Sequence, residues 1–326
     1  MKRHQPSSSP ISVSVGAGLG VGLIGALALA FRFGWRNSLG KQIPDAISPA
    51  VFATRVINTP SGEIVYHTSG NGEPLFFLHG VFPGASSFEW SKIYPHFSPS
   101  HHVFVPDLIG FGESQRPRPA ISAEAQIQAL AAFFRTTIRD PITIVASGLS
   151  ANLALLLAAR YPQSVARILM WMPLLKLQKY SSPGPYHQLS WCPPLARTLY
   201  KRQWSTEGLI KEWLLRSGFF LDDPFFEEVA SVLSSTAQQY GAEHAFVAQN
   251  SSSFWKHLSK KIAPLNIPIS LLVTEDSERA TTEAMIHLRP YTSRFSIHKV
   301  ETISSLAPLV CPELLIKSIE HELNVP

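Results

Sequence analysis

Pro141–Pro162 reads PITIVASGLSANLALLLAARYP, and the order of residue types within it decides the architecture. Ile142 to Val145 is a short, β-branched apolar run of the kind that fills a sheet buried on both faces. It stops at Ala146-Ser147-Gly148-Leu149-Ser150 and passes at once into an Ala/Leu-rich helix ending at Arg160-Tyr161-Pro162. Strand, turn and helix follow with no spare residue, so the turn is sharp. Small residues at Ala146 and Ser150 let strand and helix close on each other. Gly148, between them, takes an uncommon backbone conformation at no steric cost.

The same alternation extends in both directions. Upstream, Glu63 to His67 reads as a short strand and Leu75 to Leu78 as a buried one, ending in His79-Gly80-Val81-Phe82-Pro83-Gly84. His102 to Val105 runs into Pro106-Asp107-Leu108-Ile109-Gly110-Phe111-Gly112-Glu113-Ser114, and Ala123 to Phe134 is helix-like. Downstream come strands at Arg167 to Trp171, Ile267 to Val273 and Ser293 to Val300, and a closing helix from Leu314 to Leu323. Strand–helix–strand order of this kind implies a parallel sheet covered by helices. The alternation breaks between Pro173 and Ala263, where prolines, helix-like runs and many aromatics cluster. Aromatics at these spacings predict a lobe with a small core of its own and an apolar cavity beneath it.

Three segments, PLFFLHGVFPGASSFEW at 74–90, VFVPDLIGFGESQRP at 103–117 and TIVASGLSANLALLLAARYP at 143–162, resemble the α/β-hydrolase superfamily in this order and spacing. The branch they resemble holds esterases, epoxide hydrolases and haloalkane dehalogenases. The resemblance runs from about Pro60 to the C-terminus. It implies an α/β fold with a mostly parallel central sheet flanked by helices, and a helical cap inserted over the active-site end. On that basis residues 61–173 and 264–326 form the core and 174–263 the cap.

In that family the turn at 146–150 is the nucleophile elbow, whose middle residue carries the attacking side chain at the top of the sheet. Counting back from Arg160-Tyr161-Pro162 places the middle position on Gly148. Thr274-Glu275-Asp276-Ser277 stands where the family's G-x-x-D carries the acid, with Ser277 at the Asp position. Counting back from Pro312-Glu313 puts the histidine position on Ser305. A Ser-His-Asp triad works because an imidazole takes the hydroxyl proton while a carboxylate fixes its tautomer. Loss of the nucleophile alone costs on the order of 10⁶ in turnover. All three side-chain positions here lack their chemistry.

Substitutes are few. Ser147 should point away from the cavity, and Ser150, one step into the helix, permits close packing. Asp276 is one residue short of the acid position, so a loop shift would deliver it. For a base there are His298 on the last strand and His187, His244 and His257 in the cap, none of them on the loop that delivers the family's imidazole. The amides of Val81, Phe82 and Leu149 would form an oxyanion-hole-like nest at a helix N-terminus, a place for a carboxylate or carbonyl oxygen. No cofactor and no metal is expected.

Ahead of the globular part, residues 1–10 form a basic, Ser/Pro-rich tail. Residues 11–31, ISVSVGAGLGVGLIGALALAF, form an uncharged run of the length that crosses a bilayer core. Arg32, Trp35 and Arg36 follow as interfacial anchors, so the run reads as a single-pass anchor. The competing reading, a cleavable leader, rests on small-residue patterns at Ala26-Leu27-Ala28 and Ala28-Leu29-Ala30. Gly16/Gly20 and Gly18/Gly22 have the spacing that allows two spans to pair, and hence a homodimer. The small excess of Lys/Arg after the span favours a cytoplasmic globular domain. Residues 32–60 read as a juxtamembrane linker.

The net charge of +5 in 326 residues is dispersed, with no Lys/Arg run longer than two in the globular part, which argues against a nucleic-acid partner. Two cysteines, Cys192 and Cys311, make no metal or disulfide framework, although one bridge between them stays open. Two functional expectations result. The first is a non-catalytic binder of an apolar acyl or ester-like molecule, or of a protein partner, at the membrane. The second is an active hydrolase of small apolar esters using a rearranged site drawn from Ser147 or Ser150, Asp276 and a cap histidine.

Overall fold

The computed structural model describes residues 52–175, 192–251, 254–255 and 264–324. The expected membrane span, its glycine spacings, and His187 and His257 lie outside the described residues. Among the described residues no helix is long and apolar enough to cross a membrane.

Eight described strands pair in one sheet: β1 (Ala53–Thr59), β2 (Gly62–Ser69), β3 (Glu73–Leu78), β4 (His101–Pro106), β5 (Ile142–Ser147), β6 (Val165–Trp171), β7 (Ile269–Thr274) and β8 (Phe295–Val300). Their order is β1-β2-β4-β3-β5-β6-β7-β8. The pairs β1/β2 and β2/β4 are antiparallel, and every pair from β4/β3 to β7/β8 is parallel. The mostly parallel, helix-covered sheet expected from the sequence is therefore present.

Alternation along the strands divides the core in two. Phe76 and Leu78 of β3, Ile144 and Ala146 of β5, and Leu271 and Val273 of β7 face one side. There they pack on helices α2 (Ala123–Thr137) and α3 (Ala151–Arg160); a four-residue α1 (Tyr94–Phe97) precedes them in the chain. Phe77, Val145 and Leu272 face the other side, against α1 and the closing helix. Both faces are dry, which is why these strands read as continuous apolar runs.

The inserted lobe contains α4 (Pro193–Gln203), α5 (Glu207–Arg216), α6 (Phe226–Ala237) and α7 (Ala242–Asn250). Tyr200, Phe219, Phe226 and Phe246 build its core together with Ile210, Leu214 and Leu233, and Phe88, Leu306 and Leu309 from the segments after β3 and β8 join the same cluster. Phe220 and Phe225, also aromatic, are exposed instead. After β7 come α8 (Glu278–Leu288), α9 (Ala307–Val310) and α10 (Pro312–Asn324).

One element departs from the sequence reading. β1 lies inside the stretch read as linker. It is an edge strand with four successive exposed residues, so no alternation of polarity marks it. The cysteines are both free: Cys192 is exposed, and the half-buried Cys311 donates to Thr302 Oγ1 at 3.3 Å.

Candidate active site

β5 ends at Ser147, and a single 3₁₀ turn, Gly148–Ser150, opens directly into α3. Gly148 has φ +54°, the left-handed region that L side chains rarely adopt. A Cβ built there would meet no atom within 4 Å. The elbow therefore keeps its backbone conformation and the space in front of it, with no side chain to fill that space.

The neighbouring hydroxyls are committed elsewhere. Ser147 is buried, and its Oγ donates to Glu89 Oε1 at 2.6 Å. Ser150 is fully buried and donates to the His79 carbonyl at 2.5 Å, which ties the elbow to the loop after β3. Neither hydroxyl is bonded to an imidazole among the described residues.

Glu89 is the residue that sequence reasoning missed. Ser87–Trp90 is a 3₁₀ turn capped by the Ser86 hydroxyl, and it aims the Glu89 side chain inward. Besides Ser147, the carboxyl accepts the Gly80 amide at 2.5 Å. Burial pushes its pKa up to about 7, against the opposing effect of those two hydrogen bonds. A buried acid one residue from the elbow was visible in the sequence only as the Glu of SSFEW, a glutamate between two aromatics.

His79 has a structural task. Its Nδ1 donates to the Gly80 carbonyl at 2.7 Å, and Nε2 accepts the Leu108 amide at 3.0 Å. Burial lowers its pKa, partly offset by the charge of Asp107, so the ring stays neutral as a strap between two loops. Asp107 holds the same region: its carboxylate accepts the amides of Ser87 at 2.6 Å and Glu113 at 2.7 Å. Gly112, at φ +49°, passes so close that a Cβ would lie 2.0 Å from Asp107 Oδ2.

The two positions read from the sequence as acid and histidine sites are occupied by serines with partners of their own. Ser277 precedes α8, and its Oγ donates to the Thr274 carbonyl at 2.6 Å. Asp276 is exposed and accepts from Thr274 Oγ1 at 2.8 Å. Ser305 is exposed, and its carbonyl accepts the Trp171 indole proton at 2.9 Å. Its neighbour Ser304 is buried and donates to the Ser217 carbonyl at 2.7 Å, binding the histidine-position loop to the cap.

Among the candidate bases, His244 is on α7, partly buried, with its pKa lowered by burial. His298 is on β8, against Glu322 of α10. The structure brings neither to Ser147 or Ser150, since both hydroxyls have other partners.

Above the elbow, Val81 and Phe82 are half-buried, and the Phe82 ring stacks on Trp213 of the cap at 5.3 Å and 25°. A cavity of about 380 Å³ adjoins this stack, walled by Pro83, Trp204, Leu209 and Trp213, with Arg202 and Arg216 among its lining. Arg116 of the β4 loop bonds Gln239 and Arg118 lies 3.7 Å over the Tyr240 ring, so cap and core are also joined at the opposite rim.

The family model for the alpha/beta hydrolase fold matches residues 73–228, which span β3, the elbow and most of the cap. The chain has the α/β-hydrolase fold, and the matched stretch is just under half of its length. A 2-hydroxymuconate semialdehyde hydrolase from a Pseudomonas species is 30% identical over 106 residues, 32% of this chain. A haloalkane dehalogenase from Mesorhizobium japonicum is 31% identical over 153 residues, 47% of this chain and 46% of that one. The chain spans 38% of the length of the Pseudomonas relative.

Among solved α/β-hydrolases, the epoxide hydrolase CorEH superposes with a TM-score of 0.68 at 17% identity, over 83% of this chain and 98% of that one. The serine hydrolase CarC, involved in carbazole degradation, gives 0.64 at 15% identity, over 84% and 100%. At these identities the structural likeness concerns the fold.

Proposed function

We propose that this α/β-hydrolase-fold chain binds an apolar acyl or ester-like ligand without turning it over. The observation that supports this is the turn after β5: Gly148, read as the attacking position, is left-handed before open space, while Ser147 and Ser150 are both bonded into the protein. An acyl carboxylate or carbonyl would sit against the amides of Val81, Phe82 and Leu149, where partial positive charge converges at the start of α3. The cavity of about 380 Å³ beside the Phe82–Trp213 stack is within the usual size of small-ligand sites, and its tryptophan and leucine walls suit an alkyl chain. Arg202 supplies charge for a carboxylate in the opposite pose, while Arg216 is paired with Glu212 of the same lining. With the apolar run at 11–31 acting as an anchor, the ligand would come from the membrane. A protein partner in place of the small molecule would use the same cap surface.

One observation favours a second reading, a hydrolase with a relocated nucleophile. Ser147 Oγ is 2.6 Å from a carboxyl whose pKa is about 7, the range suited to a general base at neutral pH. In that reading Glu89 would stand in for the missing imidazole, and neither Asp276 nor His244 would take part.

Titration of the full chain in detergent micelles with dodecanoate, followed by tryptophan fluorescence, separates the two when paired with a p-nitrophenyl ester assay. The binder gives saturable quenching that Trp213→Ala weakens roughly tenfold, as loss of one anchoring aromatic does. It gives ester turnover no higher than that of Ser147→Ala. Turnover that Ser147→Ala abolishes would overturn it.

A further inference from the structure

At the far edge of the sheet, β8 and α10 bring together three metal-competent side chains that take no part in the elbow. His298 comes from β8; His321 and Glu322 are consecutive on α10. One ligand atom from each lies within 4.8 Å of the others. His298 Nε2 is 2.5 Å from Glu322 Oε1, and His321 Nδ1 is 3.5 Å from the same oxygen. The two imidazole rings are tilted at 53° with centroids 5.2 Å apart, so their nitrogens approach the carboxylate from separate directions.

The carboxylate supplies a second, independent observation. Glu322 is 3% exposed. Its Oε2 accepts from Ser270 of β7, which is itself bonded to Ser296. Among the described residues its Oε1 accepts no hydrogen bond, although both imidazoles lie within ion-pair distance of it. A buried carboxylate oxygen without a donor is costly, and a cation in front of it removes that cost.

We infer that His298, His321 and Glu322 form a binding site for one divalent cation of the zinc class, held between the edge strand and the closing helix. Two neutral imidazole nitrogens and one carboxylate oxygen are the donor set that borderline divalent metals take, and three protein ligands leave a fourth position for water. Ligand atoms around a tetrahedral zinc stand about 3.4 Å apart, given bonds of about 2.1 Å. The His321–Glu322 spacing of 3.5 Å already meets this. The His298–Glu322 spacing of 2.5 Å has to open, and His298, whose side chain is 36% exposed, has room to turn outward. Ser270 orients the carboxylate from behind, as outer partners of metal ligands do. The bound ion would cross-link β8 to α10 and so fasten the C-terminal helix to the sheet.

The test uses the full chain without an affinity tag, titrated with Zn²⁺ by calorimetry and with Co²⁺ by visible absorption. The site predicts one-to-one uptake and Co²⁺ bands of low-coordinate intensity. His321→Ala and His298→Ala should each weaken binding roughly tenfold or more and erase the bands. His101→Ala, on β4, should leave both unchanged. His321 is mostly exposed, so its alanine variant keeps the fold intact and isolates the ligand loss. No saturable uptake, or uptake that the His321 and His298 variants leave unaltered, would overturn the inference.

Discussion

The Ser147 hydroxyl and the Glu89 carboxyl share a 2.6 Å hydrogen bond in the interior, one residue from the elbow glycine. The bond joins the last side chain of β5 to the 3₁₀ turn after β3, and the Gly80 amide completes it on the other carboxyl oxygen. It ties down the hydroxyl next to Gly148 and makes Glu89 a part of the sheet-end packing.

A carboxyl held up at about 7 makes stability depend on pH with a definite sign. Between its ordinary value of 4.5 and about 7, the folded chain keeps a proton that the unfolded chain has released. Raising the pH through that window therefore lowers stability, by at most about 3 kcal/mol, and no further slope from Glu89 follows above it. Glu89→Gln should flatten the dependence, measured by urea denaturation across the window. Its amide oxygen can accept from Gly80 and its NH₂ can donate to Ser147 Oγ, so the variant keeps both contacts while removing the titratable proton.

Two glycines at positive φ should respond differently to alanine. Gly148→Ala meets open space and pays only for the left-handed backbone, roughly 1–2 kcal/mol. Gly112→Ala adds to that strain a Cβ placed 2.0 Å from the Asp107 carboxylate, in a loop whose amides depend on that carboxylate. Its loss should exceed that of Gly148→Ala by another 1–3 kcal/mol or so, the range of overpacking penalties. Denaturant midpoints of the two variants check the order.

The Phe82–Trp213 stack spans the gap between the loop after β3 and the cap. A double-mutant cycle of Phe82→Leu and Trp213→Leu should give a coupling of about 0.5–1.5 kcal/mol in stability. The same variants should speed dodecanoate exchange in stopped-flow fluorescence, since the stack borders the cavity.

What could be read from the sequence divides along physical lines. The strands that carry the motifs are local and buried on both faces, so their apolar runs and the sharp small-residue turn at Gly148 show directly in the residue order. β1 does not, because an exposed edge strand has no polarity pattern. Ser147 donates to Glu89, a partner that the sequence hides. Glu89 looks like an exposed first-turn acid until the turn is laid beneath β5, and only tertiary packing does that. The pairing of His298 with Glu322 is invisible for the same reason: strand and helix meet only in the folded chain.

The most direct test of the central claim is labelling of the full chain with a serine-reactive fluorophosphonate, beside Ser147→Ala, Glu89→Gln and Gly148→Ser. A vestigial site predicts no labelling in the parent. It predicts none in Gly148→Ser either, since in that reading no imidazole stands ready to take the proton of a hydroxyl at the elbow. Labelling of the parent that Ser147→Ala and Glu89→Gln both abolish would contradict the account, and would make the Ser147–Glu89 pair the working nucleophile and base of a hydrolase.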